Sequence, residues 1–115
     1  HMIDIGGFLE RSTGSRLDRC GVARYAKLFG SPGHVEGAIG LMADWDLRDV
    51  ASRLASLPVP LTIVHGELDA AIPLSETHAV ARLSGAPLHV LSGLGHLAHE
   101  ERPDLVAEII EGGAQ

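Results

Sequence analysis

Two residues of this sequence are placed to do acid–base chemistry, each delivered behind a short apolar run and a glycine turn. The first run reads Val59-Pro60-Leu61-Thr62-Ile63-Val64-His65-Gly66-Glu67-Leu68-Asp69 and ends on a carboxylate. The second, Leu88-His89-Val90-Leu91-Ser92-Gly93-Leu94-Gly95-His96, delivers an imidazole 27 residues after that carboxylate. A serine hydroxyl is a poor nucleophile at neutral pH. It needs a base to take its proton, and the base needs an acid to fix its tautomer and stabilise its charge. Asp69 and His96 have the types and the order for acid and base. The third member is missing: the sequence contains no G-x-S-x-G elbow, and its eight serines fall in cap, helix or turn contexts.

Each of these residues also has a plainer reading. Asp69 taken alone fits a turn cap, and only its pairing with His96 favours the acid role. Glu67 reads as a solvated loop residue and His65 as a buried or hydrogen-bonded strand end. His78 and His89 fit helix and strand surfaces. His99 and Glu100 fit the amino end of the last helix, where acidic groups favour the dipole. Cys20 reads as a small apolar filler. Seven histidines raise the question of a metal, with His96, His99 and either His65 or Asp69 as ligands. A glycine loop does not preset two ligands on one face, and there is no H-E-x-x-H helix, so no metal is expected. No cofactor is expected either, because the G-x-G-x-x-G pattern begun at Gly93 fails at Ala98.

Positioning these groups requires parallel strands, since ligands of open parallel sheets sit beyond the strands' carboxyl ends. Residues 61–64 and 88–91 are the candidate strands, joined by a crossover helix over 73–84 with Ala79, Val80 and Leu83 turned inward. Helix 103–111 starts at Pro103 and stops at Gly112-Gly113. Upstream, residues 3–16 read as irregular, with a short helical turn around Phe8-Leu9. The spacing of Val22, Tyr25, Ala26 and Phe29 predicts a helix over 17–29, and Gly30 ends it. Ser31-Pro32 reads as a capped start for a helix running to 43, forming a helical hairpin with the one before. A third helix is expected from Asp46, with Leu47, Val50, Leu54 and Leu57 as its buried stripe and Pro58 ending it. The class is therefore α/β: a helical, cap-like segment over 1–58, followed by a βαβα unit over 59–115.

The bulk composition narrows the partners. Net charge is −6 over 115 residues, and the basic residues are dispersed, which argues against nucleic acid. Apolar runs of a handful of residues fall far short of a membrane span. One cysteine and no opening signal sequence fit a cytoplasmic protein. His1-Met2 reads as a cloning remnant. The strand at 61–64 leaves an uncovered apolar edge, so self-association is expected.

The stretch from Leu57 to Ile110 resembles the carboxyl-terminal part of an α/β-hydrolase-fold protein. The motifs are Val64-His65-Gly66-Glu67-Leu68-Asp69 with Ile72-Pro73, and Gly93-Leu94-Gly95-His96 with His99-Glu100-Glu101-Arg102-Pro103. The resemblance implies Asp69 as acid and His96 as base in hydrolysis of an ester or related acyl bond. The family's elbow serine lies on an earlier strand, which makes this sequence a carboxyl-terminal portion, inactive alone. Leu41-Met42-Ala43-Asp44-Trp45-Asp46-Leu47 is similar to cap helices of one subgroup, the hydrolase-like magnesium-chelatase accessory proteins of bacteriochlorophyll synthesis. That similarity implies an alternative: a non-catalytic module binding a porphyrin-type ligand.

Overall fold

The computed structural model describes residues 3–113; His1-Met2, with their reading as a cloning remnant, lie outside it. Four helices come first: α1 (Ile5–Thr13), α2 (Arg19–Phe29), α3 (Pro32–Ala43) and α4 (Val50–Leu54). The chain then runs through β1 (Ile63–Gly66), α5 (Leu74–Ser84), β2 (Leu88–Leu91), α6 (Ala98–Glu101) and α7 (Pro103–Gly113). The α/β expectation holds. β1 and β2 pair in parallel, in register from Ile63 opposite Leu88 to Gly66 opposite Leu91. An 11-residue helix rises ~16 Å, enough to return the chain along a four-residue strand of ~13 Å.

Several local expectations need correction. The helical turn expected around Phe8-Leu9 extends to a full helix, α1, because Asp4 caps it through the Gly7 amide and Gly14 closes it at φ +70°. Ile5, Phe8 and Leu9 supply its i, i+3, i+4 stripe, which Gly6-Gly7 masked. Asp18 caps α2 in the same way, through the Gly21 amide. Pro32 does open α3, but the Ser31 hydroxyl makes no cap bond. The helix expected from Asp46 shrinks to α4, since the Asp46 carboxylate binds the Arg48 guanidinium and amide instead of a helix start. Leu47, Val50 and Leu57 are exposed rather than a buried stripe. In α5 the inward residues are Leu74, Thr77, Ala81 and Ser84; Ala79, Val80 and Leu83 face out. His99 and Glu100 belong to the separate α6 and not to the last helix, which itself continues through Gly113. Cys20 is exposed, not a filler.

The interior is small. Among the described residues only Leu9 and Ala98 are fully buried apolar side chains, while Phe29, Ile39, Leu41, Met42 and Trp45 lie open on the helical segment. The chain exposes 8531 Å². A compact chain of 12.1 kDa would expose roughly 6,000 Å². Its radius of gyration, 16.1 Å, likewise exceeds the roughly 13 Å of a compact domain this long.

Candidate active site

A cavity of about 370 Å³ runs along β1 from Ile63 past its carboxyl end, where His65, Asp69, Thr77, His96 and His99 line it with Ile72 and Val106. The turn after β1 brings Asp69 back over its own strand, closed by the Asp69 amide on the Gly66 carbonyl. The turn after β2 brings His96 to meet it. His96 Nδ1 lies 2.9 Å from Asp69 Oδ2. The carboxylate is 5% exposed and the imidazole 42%.

Asp69 is held from two sides. Its Oδ1 accepts the amides of Ala71 and Ile72 at 2.8 and 2.9 Å, and its Oδ2 accepts the imidazole. Burial alone would raise its pKa. The Ile72 amide, the His96 imidazole and the Ala71 amide together outweigh burial and hold the carboxyl below its ordinary value. An ionised carboxylate only accepts, so Nδ1 of His96 carries a proton, and in the neutral imidazole Nε2 keeps its lone pair. Nε2 can then take a proton from a hydroxyl, and Asp69 would stabilise the imidazolium formed.

The loop carrying His96 is fastened by three successive amides. Gly95 N donates to Glu101 Oε2 at 2.7 Å, His96 N to the Thr13 carbonyl at 2.8 Å and Leu97 N to Ser15 Oγ at 2.8 Å. Ser15 Oγ in turn donates to Glu101 Oε2, and the Arg16 amide donates to Glu101 Oε1, both at 2.8 Å. The Thr13 carbonyl also receives the Ala70 amide at 3.3 Å, so one turn holds both the Asp69 and the His96 loops. That turn needs glycine twice. Gly14 has positive φ, and a Cβ on Gly95 would collide with the Gly14 carbonyl carbon and the Ser15 amide. Ser15 is 1% exposed with its hydroxyl engaged on both sides, so it serves as a strut rather than a nucleophile.

The other candidates fall as follows. His65 is buried with Nδ1 against Thr77 Oγ1 at 2.9 Å, the strand-end role expected of it. Glu67 is exposed, as expected, but it also ties the two turns by accepting Ser92 Oγ and the Gly93 amide, bonds that lower its pKa. His78 and His89 are on the surface. Glu100 accepts the Tyr25 hydroxyl at 2.6 Å, linking α2 to α6; burial and this carboxylate push the phenol up to about 12. No group of three or more His, Cys, Asp or Glu side chains among the described residues could hold a metal ion. The residues missed from sequence were Thr13, Ser15, Thr77 and Glu101. Gly14, in a Ser/Thr-Gly-Ser stretch, was the only sign that a tight turn lay there.

A second depression of about 350 Å³ lies between α2 and α3, lined by Tyr25, Leu28, Phe29, His34, Val35, Ile39 and Met42. No described helix is long and apolar enough to cross a membrane.

Comparison with known proteins adds two findings. The chain is 36% identical over 107 residues to the magnesium-chelatase 30 kDa subunit of Rhodobacter capsulatus, an alignment covering 92% of this chain and 37% of that protein. The chain thus spans little more than a third of that relative's length. Residues 5–109 match the model of the alpha/beta hydrolase family, which takes in both turns and the strut between them. The protein belongs to the alpha/beta hydrolase family.

Proposed function

We propose that Asp69 and His96 are the acid and base of a Ser-His-Asp triad acting on an ester or related acyl bond, with the serine outside this sequence. The observation carrying this reading is the 2.9 Å contact between a buried carboxylate and the Nδ1 of a partly exposed imidazole. It leaves Nε2 as the working nitrogen beside a cavity. The helical segment 1–58 would cover that cavity and the unit 59–115 would supply the pair; the single cysteine fits a cytoplasmic setting. With no activated serine, the chain alone should not react with a fluorophosphonate probe. Labelling at any serine would overturn the assignment and point to a different nucleophile. The pair itself is tested by NMR: Asp69→Asn should remove the downfield His96 Nδ1–H resonance, and its persistence would refute the acid role.

A second reading is favoured by the apolar depression between α2 and α3 together with the likeness to a magnesium-chelatase subunit. Here the fold is a non-catalytic accessory module, and Phe29, Ile39 and Met42 receive a large flat porphyrin. Trp45, next to the end of α3, reports on it. Porphyrin should quench its fluorescence saturably, and no quenching would count against the pocket.

Self-association goes with either reading. The amides of Ile63 and Glu67 bond to the β2 side, which leaves the Val64 amide and carbonyl toward the open edge of β1. The excess exposed area is ample for an interface of about 800 Å² per partner. Light scattering at micromolar concentration should show a dimer or larger. A compact monomer would refute it.

A further inference from the structure

The acid reading gives Asp69 one imidazole partner, yet a second imidazole points at the same oxygen. His65 Nε2 lies 4.0 Å from Asp69 Oδ2, and both side chains are 5% exposed. The other ring nitrogen, Nδ1, contacts Thr77 Oγ1 at 2.9 Å. A helical threonine commonly turns its hydroxyl to a carbonyl one turn back, as Ser12, Thr13 and Ser84 do here. Thr77 does not; the only hydrogen bond its hydroxyl makes among the described residues is to His65.

We propose that Thr77 and His65 are positioning residues for Asp69, with the Asp69 charge and the Thr77 hydroxyl together holding His65 in the tautomer whose N–H faces the carboxylate. The inference rests on the acid role proposed for Asp69. The Asp69 charge favours one tautomer, and a hydroxyl donating to the opposite nitrogen completes the preference. A carboxylate oxygen offers only lone pairs, so an Nε2 lone pair facing it would be repelled, whereas an Nε2–H is attracted. Nδ1 is then bare and must accept, which makes the Thr77 hydroxyl the donor. At 4.0 Å the His65–Asp69 contact is an oriented dipole on a charge rather than a hydrogen bond. It acts where water is scarce and the effective dielectric is low. Oδ2 therefore lies between two N–H groups while Oδ1 is fixed by the Ala71 and Ile72 amides, and the carboxylate has no rotational freedom left. His65 thereby tempers how strongly Asp69 draws the His96 proton.

The test uses the full chain labelled with ¹⁵N-histidine, at a pH where its imidazoles are neutral. Long-range proton–nitrogen spectra should show His65 protonated at Nε2 and bare at Nδ1. Thr77→Val, which keeps the shape and removes the donor, should convert His65 to a mixture of tautomers. It should also move the His96 Nδ1–H resonance downfield, because Oδ2 then serves His96 more fully. Thr77→Ser should restore both signals, which a purely structural role for the methyl group would not do. Finding His65 protonated at Nδ1 in the parent chain overturns the proposal. So does a His96 resonance that is the same in all three proteins. Failure of the underlying acid role is seen separately, as a His96 resonance indifferent to Asp69→Asn while His65 still responds to Thr77.

Discussion

Replacing Glu101 by alanine gives the sharpest test of how the site is held together. Its carboxylate accepts Ser15 Oγ, the Arg16 amide and the Gly95 amide, all within 2.8 Å. Arg16 is exposed, so water replaces the carboxylate at its amide. Ser15 and Gly95 are buried, and their donors would be orphaned. Each orphaned buried donor costs ~1–3 kcal/mol, so the Ala variant should lose about 3 kcal/mol. Glu101→Gln should lose only ~1 kcal/mol, since its carbonyl oxygen can sit where Oε2 was and turn the amide toward the exposed Arg16. In urea, with a slope of ~1–3 kcal/mol per molar, the Ala loss moves the midpoint down by roughly 1–3 M. Far-UV circular dichroism follows the transition, and amide exchange at residues 95–97 should accelerate together. An unfolding free energy for Glu101→Ala within ~0.5 kcal/mol of the parent, the range of an ordinary surface change, would refute the strut.

Three further outcomes follow from the same geometry. Asp69 is held below its ordinary value of 3.8, so its contribution to stability is complete above that pH and lost as pH falls through the lower folded value. In Asp69→Asn, acid unfolding curves should lack that component. The single tyrosine, Tyr25, should titrate near 12 by absorbance rather than near 10, and the stability it confers should fall between those two values. Tyr25→Phe should flatten that alkaline limb. Gly95→Ala drives a methyl group into the Gly14 backbone, an overpacking of ~1–3 kcal/mol that should lower the melting temperature by on the order of 5–15 °C. An unchanged melt would mean that the two turns do not pack as described.

How much of this was legible in the sequence depended on whether the cause was local. The strands announced themselves through Ile63-Val64 and Leu88–Leu91, and their carboxyl-end turns placed Asp69 and His96 without any knowledge of the rest. α2 was legible from its spacing and α7 from Pro103. α1 was legible only as a turn around Phe8-Leu9, because Gly6-Gly7 argued against the longer helix that Asp4 and Gly14 were there to cap. α4 and α5 were misread for another reason. Apolar spacing says which residues share a face but not whether anything covers it, and Leu47, Val50, Val80 and Leu83 are uncovered. Thr77 left no local signature, and Glu101, although inside the His99–Pro103 motif, showed no role there, because each is defined by a partner on a different element.

The strut also dictates when the site can exist during folding. Every tether from the His96 loop to the Thr13–Arg16 turn closes a circuit of more than eighty of the 115 residues. Short-range helices and the β1–β2 pairing can form before that circuit shuts, but its closure entropy has to be met before the imidazole is seated. Correct seating of His96 is therefore a late event, and it certifies that both extremities of the molecule have docked.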